Sequence, residues 1–167
     1  VEKLARAAPK SKIFFRILTD GLGADWPLSK KFGAHPEMIR NLILYTRDLG
    51  LEPYGVSFHV GSQQRDIGQW STALSKVGSL YSWAEDQGIK LGMINMGGGF
   101  PATYTDPTNP IEHYAGDIKS YLASYFGNEL PEIIIEPGRS MAGDSGVIVT
   151  EVVNIAKKSS QDRKSVV

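Results

Sequence analysis

The chain has 167 residues, and its 41% hydrophobic and 22% charged content predicts one soluble globular domain. Basic and acidic residues both number 18, so no excess of charge indicates a nucleic acid, a membrane or an acidic partner. There is no cysteine, which excludes disulfide bonds, thiolate nucleophiles and cysteine-based zinc sites. No other pattern predicts a metal site.

The amino-terminal segment carries no targeting signal. Residues 1–12 have no apolar core and no initiating methionine, so they are not a signal peptide. No apolar run approaches the roughly 20 residues that a membrane-spanning helix needs. We therefore predict a cytoplasmic protein without membrane contact, whose first residue is not its natural start.

Strand-like and helix-like segments alternate along the chain. Apolar runs predict four strands at 12–18, 54–60, 91–96 and 132–136. Apolar residues at helical spacing predict helices at 36–49, 67–87 and about 111–126, the first opened by a proline and closed by a glycine. A polar loop with glycines covers 20–33, and a fifth extended segment covers 146–153.

The spacing of the four main strands predicts a parallel sheet. The strands begin near residues 12, 55, 91 and 132, so each β-loop-α unit takes 36 to 43 residues, which is typical of right-handed crossovers. Four units cannot close a (β/α)8 barrel, which has about 250 residues. A small open α/β sheet or half of a barrel remains, and the abrupt beginning and end of the chain favour the half barrel.

The run from Ile133 to Arg139 delivers polar groups at the end of a strand. Three isoleucines predict a strand that is buried on both faces, and Pro137 ends its ladder. Glu136 and Arg139 then lie at the carboxyl edge of the sheet, where parallel α/β proteins carry their functional groups. We expect both side chains to face a ligand.

Three further polar residues lie on or just after predicted strands, and each has a structural alternative. Arg16 lies within the first strand, where pairing with a structural carboxylate would explain it. His59 lies on an apolar strand, and taken alone it is more often a core histidine than a catalytic one. Ser62 could bond a phosphate or simply complete a turn.

Glycines after the third strand indicate an anion site. Gly97, Gly98 and Gly99 leave backbone N–H groups free to converge on an anion, although a flexible turn is an equal alternative. Gly138 and Arg139 supply a similar set of anion-binding groups after the fourth strand. Barrels often hold a phosphate with the loops after strands seven and eight, so the two motifs support each other.

The motifs at 57–62, 97–101 and 136–139, in this order and spacing, resemble those of the fold type III pyridoxal-phosphate decarboxylases. Ornithine, lysine and diaminopimelate decarboxylases form this family, and the ornithine branch is the most similar. The resemblance implies that residues 1–145 form the second half, strands 5–8, of an alanine-racemase-like (β/α)8 barrel. It implies that residues 146–167 begin a carboxyl-terminal β-domain.

The resemblance also implies a cofactor, a reaction and an assembly. The implied cofactor is pyridoxal 5'-phosphate. The implied substrate is a basic amino acid, and the resemblance favours L-ornithine, which is converted to putrescine. The implied assembly is a homodimer. Lys31 resembles a residue that reaches across that dimer.

The resemblance also implies a role for individual residues, most of which lie in these motifs. Glu136 faces the pyridine nitrogen, His59 stacks on the cofactor ring, and Arg16 supports the charge network of the active site. The phosphate is held by a larger group: Ser62, Gly97, Gly98, Gly99, Gly138 and Arg139.

Departures from the family pattern limit what the chain can do. The family's Schiff-base lysine ends an apolar strand, and no lysine here has that setting. The β-domain that completes the partner's active site is also missing. We therefore predict an incomplete and catalytically inactive fragment of a longer enzyme.

Other functions remain open. Lysine or diaminopimelate could be the substrate. The chain could belong to a non-catalytic, decarboxylase-like regulatory binding protein, although such a protein has no need of Glu136, His59 and Arg139. A barrel that binds another phosphorylated ligand, with Glu136 as general base, is the third alternative.

Overall fold

The computed structural model describes residues 1–28, 31–156 and 165–166. The elements, in chain order, are α1 Glu2–Ala7, β1 Lys12–Arg16, β2 Ala24–Trp26, α2 Pro36–Asp48, β3 Glu52–Ser57, β4 Ser62–Gln64, α3 Gly68–Asp86, β5 Met93–Asn95, α4 Ile111–Phe126, β6 Glu132–Ile134, α5 Gly138–Ala142, β7 Ile155–Ala156 and β8 Ser165–Val166.

Four parallel strands form the central sheet, in the order β1-β3-β5-β6. Each strand pairs with the next parallel strand along the chain, and the order never reverses. The predicted α/β fold with a parallel sheet is therefore confirmed. This progression differs from a doubly wound sheet, in which the strand order switches direction.

One row of side chains across the sheet builds the core. Phe15, Val56, Ile94 and Ile133 are neighbours in register on β1, β3, β5 and β6. In-register neighbours point to the same face of a sheet, and all four belong to or pack against the apolar core. The next row toward the carboxyl ends must therefore point to the opposite face.

Three helices cover the core face. Proline at the first position of α2 suits a helix start, because that residue's N–H has no partner within the helix. On α3 the buried side chains Trp70, Leu74 and Val77 recur at helical spacing. On α4 they are Tyr114, Ile118 and Leu122. The helices predicted at 36–49, 67–87 and 111–126 are confirmed to within two residues.

The strands are shorter than predicted, and the burial predicted for the last one is wrong. Ile133 and Ile134 are only half-buried and Ile135 is 49% exposed, although we expected a strand buried on both faces. β6 lies at the edge of the sheet, so one side of it has no neighbour among the described residues. Apolar composition predicts the strand but not its position in the sheet.

The fifth extended segment predicted at 146–153 is also wrong. Residues 146–153 form no strand, and the side chains of Val147, Ile148 and Val149 are 87–93% exposed. A strand needs a hydrogen-bonded neighbour, and none of the described residues provides one for this segment. The two residues of β7 pair instead with β8, in an antiparallel ladder.

A small antiparallel ladder was not predicted. β2 lies in the loop predicted at 20–33, and β4 directly follows the turn at Gly61. Trp26 of β2 is in register with Ser62 of β4. Three residues give too short a pattern to predict a strand, so only tertiary contact reveals this pair.

Among the helices of residues 1–28 and 31–156, none combines the length and the apolar character that crossing a bilayer requires.

Alanine at Gly55 should destabilise the sheet. An added methyl group would collide with the carbonyl oxygen of Met93 on β5. Crowding of this kind costs about 1–3 kcal/mol, so the midpoint of urea unfolding should fall.

Gly116→Ala is the matched control, because nothing lies within 4 Å of the added methyl group at this exposed position of α4. It should stabilise the protein by about 0.5–1 kcal/mol. Equal midpoints for the Gly55→Ala variant and the wild type would contradict the register of β3 and β5.

Candidate functional site

The carboxyl ends of three strands carry a row of polar side chains. Arg16, Ser57 and Asn95 are in-register neighbours on β1, β3 and β5. They directly follow the core row, so they point to the face that is opposite the helices. The alternation of the strands therefore separates an apolar core face from a polar site face.

Asn95 connects this row to the end of β6. Its Nδ2 donates a hydrogen bond to Oε1 of Glu136 at 2.8 Å, and its Oδ1 accepts one from the N–H of Gly97 at 2.8 Å. Asn95 is 8% exposed, so both halves of a nearly buried amide are satisfied. This amide fixes the carboxylate of Glu136 beside the row.

His59 lies two residues beyond β3, not within the strand as predicted. The N–H of Gly61 donates to its Nδ1 at 3.0 Å, so the neutral ring carries its proton on Nε2. Burial lowers the pKa of His59, the positive charge of Arg16 lowers it further, and Glu136 opposes both effects. The imidazole is therefore neutral at pH 7.

Within the described part of the chain, Arg16 has no structural carboxylate as a partner. Among the described residues it forms no ion pair, and its guanidinium lies 5.0 Å from the centre of the Phe32 ring. Burial lowers the pKa of Arg16, and the charge of Glu136 raises it. The alternative of a purely structural pair is therefore wrong for the described part of the chain.

These groups line one cavity of about 210 Å³ at the carboxyl edge of the sheet. Arg16, His59 and Glu136 contribute the ionisable groups, and Asn95 and Ser57 contribute neutral polar groups. Phe14, Phe58 and Gly97 complete the wall. The cavity thus offers a carboxylate, a flat neutral ring and a cation to one small molecule.

The three glycines after β5 are held by close packing, so they are not a flexible turn. A Cβ atom at Gly98 would lie 2.7 Å from the carbonyl oxygen of Glu136 and 3.2 Å from Nε2 of His59. The carbonyl oxygen of Gly97 accepts a hydrogen bond from the N–H of Glu136 at 2.8 Å. Within the described residues, the N–H groups of Gly98 and Gly99 donate to no other group.

A second polar group lies where β4 approaches α5. Arg139 donates from Nε to Oγ of Ser62 at 2.9 Å and from Nη1 to the hydroxyl of Tyr104 at 3.1 Å. Gly138, the first residue of α5, donates its N–H to the carbonyl oxygen of Glu136 at 2.9 Å. The N–H of Gly138 is therefore engaged within the chain and does not point to a ligand as a free donor.

The structure brings the predicted residues into two adjoining groups. Arg16, His59 and Glu136 line the cavity, while Ser62 and Arg139 meet beside it. Lys31 is exposed, with its ammonium 5.5 Å from the centre of the Phe32 ring, and its neighbour Lys30 lies outside the described residues.

Asn95 and Tyr104 also belong to these two groups of polar residues, but the sequence motifs did not predict them. Asn95 is the only amide in an otherwise apolar predicted strand, two residues before the glycines, and this signal could have identified it. Nothing in the local sequence distinguishes Tyr104.

Comparison with known proteins gives a consistent assignment. The model of the pyridoxal binding domain of the pyridoxal-dependent decarboxylases matches residues 1–143. An ornithine decarboxylase from Caenorhabditis elegans is 33% identical over 167 residues, which cover 97% of this chain and 39% of that protein. Antizyme inhibitor 2 from Xenopus laevis is 35% identical over 159 residues, which cover 95% of this chain and 34% of that protein.

A solved lysine decarboxylase from Selenomonas ruminantium has the same fold, with a TM-score of 0.78 and 29% identity. The match covers 96% of this chain and 42% of that one. The chain therefore spans less than half the length of each of these relatives. The match of 1–143, together with these relatives, shows that the chain belongs to the pyridoxal-binding domain family of the pyridoxal-dependent decarboxylases.

Proposed function

We propose that this chain forms the cofactor-binding part of an enzyme that decarboxylates a basic amino acid with pyridoxal phosphate. L-ornithine, converted to putrescine, is the substrate that we propose. The observation that carries the proposal is the carboxylate of Glu136, held by Asn95 in a cavity that Arg16 and His59 also line. Relatives named for ornithine and lysine support a basic substrate.

The architecture that we propose is the second half, strands 5–8, of a (β/α)8 barrel. The strand order β1-β3-β5-β6 supports it, since a barrel adds each strand beside the previous one without reversal. The polar row of Arg16, Ser57 and Asn95 then faces the barrel interior. Residues 1–145 would belong to the barrel and 146–167 to the next domain.

The described residues fit the ring of pyridoxal phosphate. Glu136 offers a fixed carboxylate to the pyridine N–H, and His59 offers the face of a neutral imidazole. Gly98 leaves open the space beside Nε2 of His59 that a Cβ atom would fill. When bound, the cofactor supplies a ring that accepts the electrons released as carbon dioxide leaves.

The fit extends to the phosphate group. A guanidinium and a hydroxyl in contact, Arg139 and Ser62, are typical phosphate ligands. Among the described residues the N–H groups of Gly98 and Gly99 have no acceptor, and Gly99 packs against Gly61, the neighbour of Ser62. We assign the phosphate to this group and the ring to the cavity, in agreement with the order of the motifs along the chain.

Each ring-binding residue has a distinct task in this proposal. Glu136 holds a proton at the pyridine nitrogen, because a carboxylate beside that nitrogen favours its charged form. His59 orients the cofactor ring by stacking, and the N–H of Gly61, which donates to its Nδ1, fixes the imidazole in place. Arg16 places a positive charge near Glu136, and this charge adds to the larger effect of burial in lowering the pKa of His59.

A non-catalytic regulatory protein is the second candidate, because antizyme inhibitor 2 is as similar to this chain as the ornithine decarboxylase is. Such a protein would need neither the fixed carboxylate nor the phosphate ligands.

A homodimer is part of the first proposal, that of a decarboxylase. The exposed side chains of Leu22 and Phe32 are suited to a contact with a second subunit, and Phe32 lies beside Lys31.

The substrate can be tested with the full-length gene product that contains this sequence. We expect release of carbon dioxide from ornithine in the presence of pyridoxal phosphate, with lysine and diaminopimelate as slower substrates. Isotopically labelled amino acids would measure the three rates side by side. The 167-residue polypeptide alone should release none, because no lysine in it ends an apolar strand. Binding of the cofactor without release from any of the three would favour the regulatory protein.

Removal of the charge at Glu136 should impair the reaction more than cofactor binding. Glu136→Gln should lower the rate of carbon dioxide release about 10²–10³-fold, the usual effect of losing one preorganised electrostatic contact. Glu132→Gln is the matched control: it lies at the other end of β6, where it accepts a hydrogen bond from Tyr54. Wild-type rates for the Glu136→Gln variant would refute the role of Glu136.

The ionisation of His59 should respond to its two charged neighbours. In an NMR titration His59 should ionise below the ordinary histidine pKa of about 6.5. Arg16→Gln should raise this pKa, because it removes a repelling positive charge, and Glu136→Gln should lower it further. A spectrum of His59→Gln assigns the signal, and a pKa unmoved by either change would contradict the described cavity.

A further inference from the structure

Three side chains surround the guanidinium of Arg139, and each comes from a different segment. Ser62 on β4 accepts from Nε at 2.9 Å, and Tyr104, from the loop between β5 and α4, accepts from Nη1 at 3.1 Å. The guanidinium carbon also lies 5.8 Å from the centre of the Trp26 ring on β2. These contacts fix the plane of a side chain that is otherwise exposed.

The segments that carry these contacts are themselves joined. Gln63, next to Ser62, donates from Nε2 to the carbonyl oxygen of Ala102 at 2.7 Å, and its Oε1 accepts from the N–H of Ala102 at 2.8 Å. Gln63 is 1% exposed, so this amide pair lies in the interior. It holds the loop that carries Tyr104 against the strand that carries Ser62.

The arrangement also depends on a glycine after α5. The hydroxyl of Tyr104 lies 2.7 Å from the position that a Cβ atom of Gly143 would take. Trp26 is in register with Ser62, so the ring and the hydroxyl lie on the same face of the ladder of β2 and β4, and both contact Arg139. Three segments thus converge on one guanidinium, and the glycine after α5 leaves room for the hydroxyl of Tyr104.

An arginine held in this way has a consequence for anion binding. Its planar fork binds a phosphate well only in one orientation, and a free arginine loses rotamer freedom when it adopts that orientation. Nε and one N–H of Nη1 are engaged, and the donors of Nη2, which bond to none of the described residues, can bind the anion. Ordering the side chain in advance reduces the entropy cost of binding.

We propose that Tyr104, together with Trp26, is a positioning residue that orients the guanidinium of Arg139 toward the phosphate group of the cofactor. This rests on the proposed function, in which Arg139 is a phosphate ligand. Tyr104 acts through Arg139, so its loss weakens the recognition of the phosphate and leaves the recognition of the pyridine ring unchanged.

The test compares two ligands that differ only in the phosphate. Dissociation constants of pyridoxal phosphate and of pyridoxal are measured by equilibrium dialysis with the full-length gene product. Tyr104→Phe should weaken binding of pyridoxal phosphate about tenfold, as expected for one lost hydrogen bond to a charged group. Binding of pyridoxal should stay within about twofold of the wild type. Inorganic phosphate should lose potency as a competitor by the same factor as pyridoxal phosphate.

Two controls separate positioning from a general effect. Tyr125→Phe removes a hydroxyl that bonds Ser71 on the surface and should change neither constant. Trp26→Phe keeps a ring beside Arg139 and should bind like the wild type, whereas Trp26→Leu should weaken pyridoxal phosphate severalfold without affecting pyridoxal. The Trp26 pair tests the same mechanism if Tyr104→Phe fails to fold.

The outcomes distinguish this inference from the function on which it rests. Wild-type affinity for pyridoxal phosphate in both Tyr104→Phe and Trp26→Leu would overturn the positioning role and leave the proposed function intact. An equal loss for both ligands would also overturn it, because the effect would then not involve the phosphate. A wild-type protein that binds neither ligand would overturn the proposed function itself.

Discussion

The candidate site depends on two hydrogen bonds of the side-chain amide of Asn95. This amide connects the end of β5 to the glycines that follow it and to the carboxylate beyond β6. A nearly buried amide that lost either partner would leave a polar group unsatisfied, at a cost of about 1–3 kcal/mol. The position of Glu136 is therefore set by the sheet and not by a mobile loop.

The close packing of the glycines reinforces that constraint. Gly98 lies against the backbone of Glu136 and the ring of His59, and no side chain would fit between them. The loops after β3, β5 and β6 thus meet in direct backbone contact. Loops packed in this way hold a carboxylate, an imidazole and the N–H groups of Gly98 and Gly99 in fixed relation, as binding of a flat phosphorylated ring requires.

The same strands serve the core and the site through their alternation. Phe15, Val56 and Ile94 point toward the helices, and the residues that follow each of them point to the other face. A shift of one residue in register would exchange the two rows. The burial of the core row, which the hydrophobic effect drives, therefore also aligns Arg16, Ser57 and Asn95.

The sequence by itself determined the alternation of elements, the parallel sheet, the three long helices and the motifs at the strand ends. Local patterns and glycine and proline positions carry that information, because helix and strand periods are properties of neighbouring residues. Tertiary structure alone decided what depends on distant partners. The exposure of Ile135 follows from the place of β6 at the sheet edge, and the pairing of Trp26 with Ser62 follows from the crossing of two loops. The tertiary structure also decided the contact of Asn95 with Glu136 and that of Tyr104 with Arg139, because the partners lie 41 and 35 residues apart in the chain.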